Sequence, residues 1–182
     1  MRYVIEGDNL PVVKVQLDAG ESVVCESGAM SWMDTGIEMA TQGGGLGKMF
    51  GKLMTKESMF ENVYIANRPG EIAFNAKFPG SVVAVELTPD KPIIIQKGSY
   101  LAHYGNIQTE VAVQKKVGTG FFGGEGFLMR KYSGTGIVFL EIDGSAHGYD
   151  LAPGESKIVN TGYLAAMDAT CSIDIHVTAN LN

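Results

Sequence analysis

Metal and general-base chemistry needs histidines in register, and the three in this chain, His103, His147 and His176, form neither an HxH nor an HxxxH pair. Those spacings turn two imidazoles to one face of a strand or helix. No metal site is expected. His103 stands where Met33 and Met167 stand in the chain's internal repeat, so it reads as a packing position. Cys25 and Cys171 lie far apart with no CxxC, which reads as two free, buried thiols in a reducing compartment. Glu21 recurs as Glu155, and Glu61 as Glu125. Paired carboxylates can serve as acid and base, but a Gly-Glu-Ser turn that recurs keeps its charge in solvent. Asp34 and Asp168 read as acceptors of backbone N–H groups at turns. Gly118-Thr119-Gly120-Phe121-Phe122-Gly123 satisfies GxGxxG, yet a dinucleotide site needs a helix next, with its N-terminus on the pyrophosphate. Gly124-Glu125-Gly126 follows instead, which reads as a turn at a strand corner. Neither Gly47-Lys48 nor Gly51-Lys52 is followed by Ser or Thr, so neither is a P-loop. No nucleophile elbow is present. The expectation is a non-enzymatic chain with no catalytic, cofactor-binding or metal-binding residues and no cofactor.

The elements around these residues are strands. The chain has 182 residues, enough for one domain with a proper core. Its 24 glycines are about twice the usual share, and 19% of residues are charged. Such a composition suits many short strands joined by tight turns. The net charge of -6 argues against nucleic acid as a partner, because phosphate binding needs clustered Lys and Arg. The basic clusters are limited to Lys48, Lys52 and Lys56 and the pairs Lys115-Lys116 and Arg130-Lys131. Glu6 and Asp8 sit where a signal peptide would carry its apolar core, and no apolar run is long enough to span a membrane. A cytoplasmic location is expected.

An internal repeat organises the strands. Leu17-Asp18-Ala19-Gly20-Glu21-Ser22 matches Leu151-Ala152-Pro153-Gly154-Glu155-Ser156, and a third copy starts at Leu87. Eleven residues past each Leu stands Gly28, Gly98 or Gly162. Met33-Asp34 recurs as Met167-Asp168, and Val12-Val13-Lys14-Val15 lies over Val82-Val83-Ala84-Val85. A shift of 64 residues also equates Gly70 with Gly134 and Gly80 with Gly144. Strands are expected at 12–17, 72–78, 82–85 and 93–95, and at 173–178. The expected fold is a single all-β barrel or sandwich of three pseudo-repeated units, approximately 1–59, 60–123 and 124–182. A closed ring of three calls for one more glycine-rich segment after Asn182, so the final unit reads as incomplete.

Three stretches carry a resemblance: Gly20-Glu21-Ser22-Val23-Val24-Cys25-Glu26-Ser27-Gly28-Ala29-Met30, Phe121-Phe122-Gly123-Gly124-Glu125-Gly126-Phe127, and Gly134-Thr135-Gly136. With them the chain resembles, over nearly its whole length, the TRAP-like (tryptophan-RNA-binding attenuation protein-like) family of uncharacterised proteins, which includes the mitochondrial "altered inheritance of mitochondria" protein. The resemblance implies an all-β fold and no enzymatic activity or catalytic residues. For the mitochondrial members it implies a membrane-associated organising role. It does not bring RNA binding with it, because the repeat positions carry Glu, Gly and Ser where a ring of basic residues would be needed.

One segment breaks the pattern. In residues 43–59, Leu46, Met49, Phe50, Leu53 and Met54 form a helical stripe, with Lys48, Lys52 and Lys56 on a separate face. Gly45, Gly47 and Gly51 weaken an isolated helix by roughly 1 kcal/mol each, so this one forms only when packed. The stripe reads as a contact surface that covers the barrel end or a subunit interface. A protein partner and a membrane surface are alternative occupants. The expected function is a self-associating homo-oligomer with a scaffold or interaction role and an unknown protein partner. The alternative is a small-ligand-binding β-barrel.

Overall fold

The computed structural model describes residues 2–40, 61–115 and 126–176, and its regular structure there is almost wholly β. The stripe Leu46, Met49, Phe50, Leu53 and Met54 and the turn at 118–125 lie outside the described residues. The first half supplies β1 (Arg2–Glu6), β2 (Val12–Leu17), β3 (Ser22–Glu26), β4 (Met30–Met33), β5 (Ile37–Met39), β6 (Glu61–Ala66) and β7 (Gly70–Asn75). The second supplies β8 (Gly80–Leu87), β9 (Ile93–Gln96), β10 (Tyr100–Lys115), β11 (Phe127–Asp143) and β12 (Ala166–Asp168). A four-stranded sheet runs β1-β2-β7-β4, and an eight-stranded one runs β12-β9-β11-β10-β3-β6-β5, with β8 also on β11. All pairings are antiparallel.

Alternation decides what each sheet buries. Val13, Val15 and Leu17 of β2 turn inward with Ile72 and Phe74 of β7, and they meet Val23 and Cys25 of β3 across the sandwich. Each such apolar side chain contributes about 1.5–3 kcal/mol when fully buried. A second core gathers Leu87, Ile95, Tyr100, Tyr132, Val138 and Leu140. A third sets Ile94, Phe127 and Met129 against Leu164, Met167 and Ile173.

Strand pairing shows a grammar that recurs. The first arch, 12–34, runs from β2 through β3 to β4, and the second, 82–104, runs from β8 through β9 into β10. Leu17 lies opposite Gly70, and Leu87 opposite Gly136. Cys25 lies opposite Ala102, and Ile95 opposite Ala166. Met30 pairs Phe74, then a bulge, then Trp32 pairs Ala73; Tyr100 pairs Leu140, then a bulge, then Ala102 pairs Phe139. The arch residues stand 70 positions apart (Met30 to Tyr100), and the covering strands 66 (Phe74 to Leu140). So Gly70 corresponds to Gly136, not to Gly134. The reason is that β6 and β7 are joined by three residues, whereas β11 runs unbroken over the same ground.

The third arch, 146–168, has the turns without the ladders. Glu155 N–H donates to the Ala152 carbonyl at 2.9 Å, as Glu21 N–H does to Asp18 at 3.0 Å and Lys91 N–H to Thr88 at 2.9 Å. Gly154 and Gly20 take φ of 82° and 87°, a left-handed conformation that glycine adopts without strain. Lys97–Ser99 and Thr161–Tyr163 are matching 3₁₀ turns. Yet residues 144–160 belong to no strand, and within the arch only β12 is paired. Residues 171–176 alternate half-buried and exposed, as expected of 173–178, but form no strand there either. Their inward side chains, Ile173 and Ile175, pack against the third core.

Candidate functional site

Among the described residues, two places bear most directly on function. One is a buried polar cluster where β3, β6, β10 and β11 meet. Arg130 of β11 pairs with Glu61 of β6 at 3.1 Å, both largely buried. Tyr100 and Tyr132 stack with centroids 5.2 Å apart, and His103 meets Tyr132 edge-on at 6.1 Å. The Tyr100 hydroxyl donates to the Val24 carbonyl at 3.2 Å and lies 2.8 Å from His103 Nδ1. Burial lowers the His103 pKa to about 4, keeping the ring neutral. Burial raises Tyr100, Tyr132 and Glu61, with the Arg130 charge pulling against it in each case. Cys25 nearby is pushed up to about 12, chiefly by burial, which makes it an inert thiol. The cluster is sealed: His103 is 5% exposed, Tyr100 4% and Tyr132 1%. It ties four strands together rather than facing a cleft.

The other place is the surface of the third arch. Leu151 is 40% exposed, while its counterparts Leu17 and Leu87 are 1% and 2% exposed. Val159 is 45% exposed, while Cys25 and Ile95, its counterparts, are fully buried. Tyr149, Ile158 and Tyr163 are exposed beside them. Leu151 and Val159, whose counterparts fill the core in the other two arches, therefore lie open in the third. His147 and Lys157 stand at the positions of the buried Val13 and Val23, and Lys157 Nζ lies 4.2 Å over the Tyr149 ring. A groove of about 510 Å³ reaches the third arch at Ser145, Gly162 and Tyr163, its lining including Asp143, Gln96 and Ser99 but not Leu151 or Val159. In the first arch the positions of Ser145 and Tyr163 are held by Pro11 and Ala29. There the end of β7 fills the space: Ala76 N–H donates to Pro11 and Asn75 N–H to Ala29, both at 3.2 Å.

The residues singled out by type are mostly structural. Glu155 accepts the Ala152 N–H at 2.9 Å, and Glu21 accepts the Asp18 N–H at 2.8 Å. Glu21 also takes the Tyr104 hydroxyl bond, and that bond is the main cause of its lowered pKa. Asp168 caps its turn, accepting from Thr170 N–H at 2.8 Å. Asp34 instead reaches across to the Glu71 N–H on β7 at 2.8 Å, because there a strand lies beside it. Cys25 is buried and Cys171 half-buried, both free. Among the described residues no three His, Cys, Asp or Glu side chains gather as a metal cluster would. Also among them, no helix is long and apolar enough to cross a membrane. Sequence spacing missed the Glu61–Arg130 pair, since its partners are 69 residues apart. The available signal was a basic residue, Arg130, directly after the apolar run Phe127-Leu128-Met129.

Residues 3–181 match the family of mitochondrial biogenesis AIM24 proteins. The chain belongs to the AIM24 family. It is similar to an uncharacterized protein of Streptococcus pyogenes serotype M6, with 29% identity over 187 residues that cover 97% of this chain and 74% of that one. The fold is shared with a crystal structure of another Streptococcus pyogenes protein, at 28% identity and a TM-score of 0.62. That likeness covers 79% of this chain and 65% of the solved one, so the chain spans just under two thirds of that structure.

Proposed function

We propose that this AIM24-family chain is a non-enzymatic interaction module that self-associates through its third arch. The carrying observation is the contrast between Leu151, exposed, and Leu17 and Leu87, buried at the same repeat position. Apolar side chains left open at positions that are core in the other arches have more to gain from burial than scattered surface residues do. The filled cores favour contact over an internal ligand, and the sealed His103–Tyr100–Tyr132 cluster leaves no approach for a substrate. A cytoplasmic setting is part of the same reading, consistent with free thiols. The stripe Leu46, Met49, Phe50, Leu53 and Met54 is a second proposed contact.

Light scattering of the purified chain at micromolar concentration tests this. An assembly is expected, and Leu151→Asp with Val159→Asp should disperse it without altering the circular dichroism or melting of the subunit. Phe50→Asp with Leu53→Asp separates the second surface from the first. A monomeric wild-type chain would overturn self-association.

A further inference from the structure

The geometry points to a strand-wide slot in the third arch that accepts one extended polypeptide strand from a partner chain, in a defined register. This rests on reading the third arch as a contact surface and specifies what lies on it. In the first arch β7 runs between β2 and β4. In the second, the C-terminal half of β11 runs between β8 and the start of β10. By repeat position the corresponding flanks of the third arch are residues 146–151 and the segment from Leu164 into β12, with residues 156–160 in the place of β3 and β9. No strand of the described residues pairs with 146–151 or 156–160. The groove between Ser145 and Tyr163 marks the slot's end, at the place where Asn75 and Ala76 close the first arch.

The occupant's chemistry follows from the two strands that fill the other slots. Gly70-Glu71-Ile72-Ala73-Phe74 and Gly136-Ile137-Val138-Phe139-Leu140 share glycine, then inward apolar side chains at alternate positions. In both, the glycine faces the arch leucine. Crowding explains it: a Cβ at Gly70 would lie 3.1 Å from Asp34 Cβ, and one at Gly136 would overlap the Tyr104 carbonyl oxygen. Asp168 is the counterpart of Asp34 and Tyr104, so the third slot asks for glycine as well. The carboxylate of Asp34 accepts the N–H of the residue after that glycine, whereas the Asp168 carboxylate already accepts from Thr170, so in the third slot the register rests on the glycine and the apolar positions. The occupant is thus a strand reading glycine–x–apolar–x–apolar, its glycine opposite Leu151. Backbone pairing with flanking strands supplies affinity and the alternate pockets supply specificity.

A fluorescent synthetic peptide of residues 127–143, titrated into the full chain, is the probe. Saturable one-to-one binding is expected, with amide protection gained at 146–151, 157–159 and 166–168. Leu151→Asp with Val159→Asp should weaken binding at least tenfold, and a scrambled peptide should not bind. Binding indifferent to scrambling or to those substitutions, or no binding, overturns the proposal. If the peptide fails while the same substitutions disperse a native assembly, the strand slot falls and self-association stands. If a monomeric chain binds the peptide in register, self-association falls and the slot stands.

Discussion

His103 carries the clearest pH signature of any single residue. Its pKa of about 4 lies below the ordinary 6.5 because burial disfavours the imidazolium. Below about pH 6.5 the unfolded chain takes up a proton that the folded chain refuses, so stability falls as pH drops toward 4. The full effect is roughly 3 kcal/mol. Glu61 and Glu141, whose pKa values are raised, tilt the other way, since the folded state holds their protons more readily. The informative measurement is therefore a difference: denaturant unfolding at near-neutral and mildly acid pH for the wild type and for His103→Gln. The variant should show the smaller loss on acidification. Glu61 gives a second prediction. Glu61→Ala leaves Arg130 charged and half its partnership gone in a buried site, so it should cost about 3–5 kcal/mol in the same assay.

At the scale of elements, the β10–β11 pair turns on two glycines. Gly105 and Gly134 take φ of 113° and 123°, and a Cβ on Gly134 would overlap the Asn106 carbonyl oxygen, while one on Gly105 would press on Thr135 and Gly136. Gly105→Ala and Gly134→Ala each combine backbone strain with a clash, and thermal melts should show losses of about 3 kcal/mol or more. Gly20→Ala has the strain but open space around it, so about 1 kcal/mol is expected. This contrast also marks what was legible in the sequence. Gly20, Gly98, Gly154 and Gly162 sit in turns where no other strand's backbone crowds the Cα, and spacing alone located them. Gly134 and Gly136 answer to Asn106 and Tyr104 on another strand, so a constant shift of 64 paired Gly70 with the wrong one. The strands at 12–17 and 93–95 were visible because their alternation or β-branched runs are local facts. The buried cluster of Glu61, His103, Arg130 and Tyr132 was not, since its members come from three strands far apart in sequence, β6, β10 and β11.

For the molecule as a whole, the repeat position of Leu17, Leu87 and Leu151 separates folding from contact. Leu17→Ala and Leu87→Ala should each cost about 2–5 kcal/mol, as buried leucines do. Leu151→Ala, at 40% exposure, should leave the melting of a dilute sample within about 0.5 kcal/mol of wild type while weakening association.

β11 bears on this differently, through time. It pairs with β8, β9 and β10 at once, and its ladder with β10 closes a short connection, from Lys115 to Phe127. The pairings of β2 with β7 and β3 with β10 join far more distant residues. β1 and β2 close a still shorter connection, from Glu6 to Val12, but over a much shorter ladder. Loop closure together with ladder length makes the β10–β11 hairpin the place for the chain to nucleate, and β8 and β9 dock onto it next. The first arch then condenses last, although it is made first at the ribosome. Pulsed hydrogen exchange during refolding should find amides of 127–143 protected before those of 12–17. A nascent chain that has emerged only as far as β7 should stay open to protease.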